Sequence, residues 1–230
     1  MQVFEALLNK NILLTPKEWK TLVENHLDDN SFGGSVMKAL SRIPSLLQSK
    51  KSTHKADETI VRMLGEIRAC YQVLKAGLDA LREQLALFRS KMAEPNPVPA
   101  VTLGFANIQR IYGIGLTAAI VMNFVLGADD ADDLELPLDL MWFSTEVMTI
   151  AREATRYRPI GASYVALCLY AAWMGTENSP LRAEIEEALL DYHSDYSWSV
   201  PDYLDTRELE LLLDQLRSPA LESTHSQPNP

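Results

Sequence analysis

The segment of this chain whose residues could most clearly carry out chemistry holds four aspartates within five positions: Asp129, Asp130, Asp132 and Asp133. Carboxylates at this spacing near the end of a helix can bind magnesium ions. Bound magnesium can draw a diphosphate group off an organic substrate and so start a carbocation reaction. The cluster follows a long apolar segment and precedes an amphipathic one, so we expect it between two helices. We find no other candidate catalytic site in the sequence.

The aspartate cluster resembles the Asp-Asp-x-x-Asp motif of class I terpene synthases and prenyl-diphosphate synthases. Those enzymes carry a second magnesium motif downstream, of the form Asn/Asp-Asp-x-x-Ser-x-x-x-Glu, which this sequence lacks. The residues before the cluster, 125–128, are also not the aromatic ones that usually precede the motif. A short motif without its context is weak evidence. We therefore predict an acidic interhelical loop, and keep magnesium-dependent prenyl-diphosphate chemistry at Asp129–Asp133 as the alternative.

Histidines and cysteines offer no second site. No two of the four histidines have the spacing of metal ligands along a helix. Cys70 and Cys168 are too few for a disulfide framework or a zinc cluster, and each is best interpreted as a small hydrophobic residue. Gly113 and Gly115 lack the third glycine and the preceding strand of a dinucleotide site. We predict no catalytic, cofactor-binding or metal-binding residues and no cofactor.

Charge is distributed unevenly along the chain. The net charge of the 230 residues is −10, yet residues 1–100 carry 14 basic and 11 acidic side chains, whereas residues 101–230 carry 7 and 20. An acidic surface repels the phosphate backbone, so direct sequence-specific nucleic-acid binding is not expected. A hydrophobic content of 47% is that of a globular protein and excludes collagenous and wholly disordered chains.

Apolar periodicity predicts an all-α fold, a single-domain bundle of about eight helices in residues 1–217 followed by a disordered tail, 218–230. Strand signals such as sustained alternation or hairpin turns are missing. The charge-free segment 111–128 reaches the lower limit of a membrane span, but glycines interrupt it and aspartates follow it. We predict that it is a buried core helix and that the chain makes no membrane contact.

Residues 57–93 are predicted to form one long spine helix. Apolar or aromatic side chains recur there at alternating intervals of four and three residues, which is a heptad pattern. A homodimer through residues 57–93 is possible on this pattern. However, position e of the heptad is uniformly basic and position g is mostly small or apolar, whereas self-pairing coils carry complementary charges there. The pattern therefore favours the spine of a globular bundle.

The basic e positions of the spine are Arg68, Lys75, Arg82 and Arg89. One interpretation makes them a solvated face, and the other makes them a dock for the acidic second half of the chain. We favour the solvated face.

The acidic, aromatic segment 191–205 also has two interpretations. It is either a transcriptional activation segment or a connector whose aromatic residues pack on the core, and we favour the connector.

The order of elements resembles the helical regulatory region of fungal zinc-cluster transcription factors, downstream of their six-cysteine DNA-binding module. Residues 36–48 resemble the segment before the family's long helix, and residues 151–173 resemble its late segment, in which Arg-Pro-hydrophobic-Gly leads into an apolar helix with Cys and Trp. The spine and the helix at 103–127 follow in the family's order. The six-cysteine module is absent, because the sequence has only two cysteines, 98 positions apart.

This resemblance implies a transcription-factor-like regulatory protein of a fungal secondary-metabolite pathway, nuclear or cytoplasmic. We expect it to act through a protein partner, possibly a DNA-binding regulator, rather than by reading DNA directly, and we do not expect an enzyme. The alternatives are the prenyl-diphosphate enzyme described above and a helical scaffold or oligomerisation module that uses the spine heptads.

Overall fold

The computed structural model describes residues 58–130, 132–176 and 179–195. These residues form five α-helices and one short 3-10 turn, with no strand among them, which confirms the all-α prediction for this part of the chain. Helices predicted before residue 57 and at 205–217, and the predicted tail, lie outside the described residues. The helices are α1 (Glu58–Met92), α2 (Pro99–Gly127), α3 (Glu135–Ala154), α4 (Ser163–Gly175) and α5 (Ser179–Ser194), and the 3-10 turn is Thr155–Tyr157.

The spine helix α1 runs without a break through Gly77, close to its predicted bounds of 57–93. Its heptad side chains at positions a and d turn towards α2 of the same chain, which is the main packing partner of α1. The heptad stripe therefore builds the core of one chain. The fully or nearly fully buried members of the stripe are Leu64, Ile67, Tyr71, Leu74, Leu78 and Leu85.

The central element is α2, which packs against α1, α3 and α4. A Cβ atom at Gly115 would lie 2.9 Å from Leu78 Cδ2, and one at Gly113 would lie 2.9 Å from the Tyr164 ring. These two glycines therefore let α1 and α4 approach α2 closely. Of the described helices, only α2 is long and apolar enough to cross a membrane, and 72% of that apolar window is buried inside the protein, as in a core helix.

The polypeptide turns sharply after α3. This helix ends at Ala154, where the 3-10 turn begins, and an extended Arg158 then precedes Pro159. Arg158 then binds the end of α5: its Nε lies 2.5 Å from Asp195 Oδ2, its Nη1 binds the Asp191 carboxylate, and its Nη2 donates to the Asp191 carbonyl at 2.6 Å. This arginine joins the turn to the last described helix.

The start of the acidic, aromatic segment 191–205 packs on the core. Tyr192 is buried, and its hydroxyl donates to the carbonyl oxygen of Ala151 at 2.7 Å. The connector interpretation is therefore confirmed for Tyr192. The remaining aromatic residues of the segment lie outside the described residues.

Candidate functional site

Acidic side chains on α3 recur at the same interval as the basic side chains on α1. Asp139, Glu146 and Glu153 are seven residues apart, as are the e positions of the spine. Lys75 Nζ lies 2.5 Å from Asp139 Oδ2, and Arg89 Nε lies 2.7 Å from Glu153 Oε1. The two repeats thus face each other and form a series of ion pairs between α1 and α3.

The aspartate cluster provides the first contact of this series. Arg68 Nη1 donates to Asp133 Oδ2 at 2.7 Å, and Arg68 Nη2 donates to Asp130 Oδ2 at 2.9 Å. The hydrogen bond from Arg68 holds the pKa of Asp133 below its usual value. Two of the four aspartates therefore anchor α1, while Asp129 and Asp132 are exposed. Within the described residues, no three His, Cys, Asp or Glu side chains are gathered where they could hold a metal ion.

Arg82, the remaining basic e position, also contacts α3. Its guanidinium lies over the Trp142 ring, 5.2 Å from the ring centroid, and 3.4 Å from Asp79 on its own helix. The dock interpretation of the basic stripe is thus confirmed for Arg68, Lys75 and Arg89, and the favoured solvated-face interpretation is wrong for these three residues. We call the contacts of Arg68, Lys75 and Arg89 with their α3-side carboxylates the ion-pair ladder.

Buried polar groups support the ladder from the core side. The Tyr71 hydroxyl donates to Asp139 at 2.7 Å, the Tyr112 hydroxyl donates to Glu146 at 2.9 Å, and Gln109 Nε2 donates to Glu153 at 2.9 Å. Each acid of the α3 repeat therefore has a donor from the core. Burial, together with the neighbouring carboxylates, raises the pKa of both tyrosines well above the usual value, so they remain neutral donors.

Asn123 on α2 extends this network to the start of α3. Its Nδ2 donates to the Tyr71 hydroxyl at 2.9 Å and to the Leu136 carbonyl oxygen at 2.8 Å. The side chain is 2% exposed, and a buried amide is tolerated only when it is hydrogen-bonded in this way. Asn123 therefore links α1, α2 and α3 next to the aspartate cluster.

A cavity of about 340 Å³ opens beside the aspartate cluster. It lies between the end of α2, the start of α3, the end of α4 and the start of α5; we call it the α2–α3–α4 pocket. Its wall is mostly apolar, with Asp130 and Asp133 on one side. The lining residues are Asn123, Phe124, Gly127, Ala128, Asp130, Asp133, Leu136, Pro137, Leu140, Met141, Met174, Gly175, Thr176 and Leu181.

The other potentially reactive side chains are held in structural contacts. Cys168 is buried, and its thiol donates to the Tyr164 carbonyl oxygen at 3.3 Å. Burial raises the pKa of this thiol to about 12, which keeps it protonated at neutral pH. Nε2 of His193 lies 2.5 Å from the Tyr170 hydroxyl, and burial lowers the pKa of the imidazole. The other three histidines lie outside the described residues.

The sequence indicated both the aspartate cluster and the basic stripe, and a dock for the acidic second half was one interpretation of that stripe, but the pairing of individual residues was not predicted. The signal that could have revealed it is the seven-residue repeat of acids at 139, 146 and 153, which matches the spine heptad. The pocket has no sequence signal, since its wall comes from four separate helices.

Comparison of the chain with protein-family models, with curated proteins and with solved structures finds no match.

Proposed function

We propose that this chain is a transcription-factor-like regulatory domain that acts through protein contacts, in the nucleus or the cytoplasm. The observation that carries the proposal is an apolar stripe on the surface at the start of α3. Leu134, Leu138 and Met141 are 80%, 63% and 54% exposed and follow each other at intervals of four and three residues. Such a stripe lies on one side of a helix, and clustered exposed apolar side chains are typical of interaction sites.

The charge around the stripe indicates the kind of partner. Asp132 and Glu135 are exposed beside it, and the aspartate cluster carries more negative charge than Arg68 neutralises. A complementary partner segment would present leucine or isoleucine side chains flanked by lysine or arginine. A basic, amphipathic helix of a DNA-binding regulator has this chemistry.

Pairing of the basic stripe supports indirect rather than direct action on DNA. Arg68, Lys75 and Arg89 bind carboxylates of the same chain, so releasing them to bind phosphates would break the ion-pair ladder. Sequence-specific recognition further needs side chains that reach base edges. We expect the purified protein alone to give no defined footprint at physiological salt, and a footprint to appear only with a DNA-binding partner present.

The proposal is tested by fusing the whole chain to a heterologous DNA-binding domain and measuring a reporter gene. We expect the fusion to change transcription and Leu138→Asp to remove the change without unfolding the protein. Leu190→Asp is the matched control, because Leu190 is a 75% exposed leucine on α5, away from the stripe. An inactive fusion, or equal loss in both variants, would contradict the proposal, as would a defined DNA site for the protein alone.

Magnesium-dependent prenyl-diphosphate chemistry is a second candidate, favoured by one observation: an apolar pocket adjoins Asp130 and Asp133. Arg68 competes with any metal for these two carboxylates, which is why we rank this function second. The test is incubation of the protein with magnesium and prenyl diphosphates of several lengths. We expect no release of pyrophosphate above a blank, and release that disappears in Asp129→Asn would make the chain an enzyme.

A further inference from the structure

We infer that the α2–α3–α4 pocket binds a small amphipathic molecule with an apolar body and a neutral or cationic polar end. This inference goes beyond the proposed function, because it concerns a ligand and not a protein partner. The pocket's volume of about 340 Å³ lies within the range of small-molecule sites.

The apolar body of the ligand would pack against the apolar wall of the pocket. Phe124, Leu136, Leu140 and Met174 contribute aromatic, branched and flexible side chains from three helices. Methionine adapts its shape to irregular ligands, so the wall can close on more than one ring system. The polar atoms in the wall are few: the Asn123 amide nitrogen and the Thr176 hydroxyl already donate to groups of the protein.

The polar end of the ligand is set by the acidic side of the pocket. Within the described part of the chain, Asp130 and Asp133 line the pocket and share one cation, Arg68, so these two carboxylates retain a net negative charge. An anionic ligand would be repelled there, whereas an amine or another hydrogen-bond donor would be attracted. The geometry therefore selects against carboxylates, sulfonates and phosphates.

Gly127 is a pocket-lining position at which a larger side chain can be introduced. It is the last residue of α2 and lines the pocket, and a Cβ atom there would meet no atom within 4 Å. Gly127→Leu should place a side chain in the open space. Gly65→Leu is the matched control, because a Cβ atom at Gly65 also meets nothing, and Gly65 is exposed on α1, none of whose residues lines the pocket.

The probe for the test is N-phenyl-1-naphthylamine, an uncharged fluorescent molecule of 17 non-hydrogen atoms, titrated into the full chain. Its partner probe is 1-anilinonaphthalene-8-sulfonate, which has the same rings and an added sulfonate. We expect saturable binding of the uncharged probe to one site per chain, and at least tenfold weaker binding of the sulfonate. Gly127→Leu should weaken binding of the uncharged probe at least tenfold, while Gly65→Leu should bind it like the unmodified chain.

Thermal unfolding of each variant is measured alongside. If Gly127→Leu has a lowered melting temperature, Ala128→Leu is the second pocket-filling variant, since Ala128 also lines the pocket. No binding of the uncharged probe to the unmodified chain would overturn the inference. Unchanged binding in a folded pocket-filling variant, or binding of the sulfonate as tight as that of the uncharged probe, would also overturn it. The result of the probe titration does not depend on the result of the reporter assay, so the ligand inference and the proposed function can each fail without the other.

Discussion

Arg89 on α1 and Glu153 on α3 form a two-pronged ion pair, with Nε 2.7 Å from Oε1 and Nη2 3.1 Å from Oε2. Gln109 on α2 donates to the same carboxylate at 2.9 Å. One side chain of α3 thus accepts hydrogen bonds from two other helices. Because both arginine nitrogens and the glutamine point at fixed oxygens, this contact specifies how three helices meet as well as stabilising them.

Glu153→Gln should destabilise the protein by about 1 to 2 kcal/mol, because Arg89 keeps its charge and loses its carboxylate partner. A double-mutant cycle with Arg89→Met should give a coupling energy of about 1 kcal/mol from urea denaturation. The comparison pair is Arg152 and Glu184, whose side chains are 67% and 54% exposed, and whose coupling should stay below about 0.5 kcal/mol. Equal coupling energies in the two cycles would contradict the special geometry of the Arg89 pair.

Leu74→Asp should destabilise the protein severely, by about 3 to 5 kcal/mol, since Leu74 is fully buried at position d and the charge would have no partner. Val73→Asp is the control: this neighbour on the same helix is 57% exposed and should change the free energy of unfolding by less than about 1 kcal/mol. Denaturation and sedimentation measure the two effects. A Leu74→Asp chain that stays folded as a monomer and only loses a dimer would support the scaffold alternative.

Cys168 should react with Ellman's reagent only as fast as the protein unfolds. With a pKa raised by burial to about 12, roughly one thiol in ten thousand is ionised at pH 8, and the side chain is also inaccessible. Cys70 is only partly buried, so it should be modified first. The measurement uses Cys70→Ser, in which Cys168 is the single thiol left. Rapid modification of that variant under native conditions would contradict the burial of Cys168 in α4.

His193 should make the protein less stable as the pH falls below about 6.5. Burial lowers its pKa in the folded state, so between the two pKa values the unfolded chain binds a proton that the folded chain does not. Its contribution is fully present above the unfolded pKa and is lost as the pH falls. Urea denaturation from pH 7.5 to pH 5 should therefore show a smaller decline for His193→Gln than for the unmodified chain. Identical declines would contradict the lowered pKa.

Much of the helical framework was predictable because its determinants are local. The heptad of α1 predicted residues 57–93, and the structure has one helix at 58–92. The predicted positions of helix ends near prolines were less accurate. Pro99 begins α2 four residues before the predicted 103, because proline fits the first turn of a helix, whose amide needs no partner.

The partners of the basic stripe could not be read from α1 alone. Whether Lys75 faces water or Asp139 depends on where α3 packs, and this is decided by α2, which lies against both helices. The seven-residue spacing on α3 is meaningful only after the two helices are known to be neighbours. For the same reason, the chemical pattern of the aspartate cluster suggested a metal site, whereas Arg68, more than sixty residues earlier, binds two of its carboxylates.

The ion-pair ladder also restricts how α1 and α3 can slide past each other. Lys75 with Asp139 and Arg89 with Glu153 share the same sequence offset of 64 residues. A slip of one helical turn would separate both pairs at once, and the smallest slip that could re-form like pairs is seven residues, about 10.5 Å along the axis. The two helices therefore have widely separated allowed registers, with no gradual path of small adjustments between them. Displacement of α3 along α1 by one turn would therefore have to break the Lys75 and Arg89 pairs together.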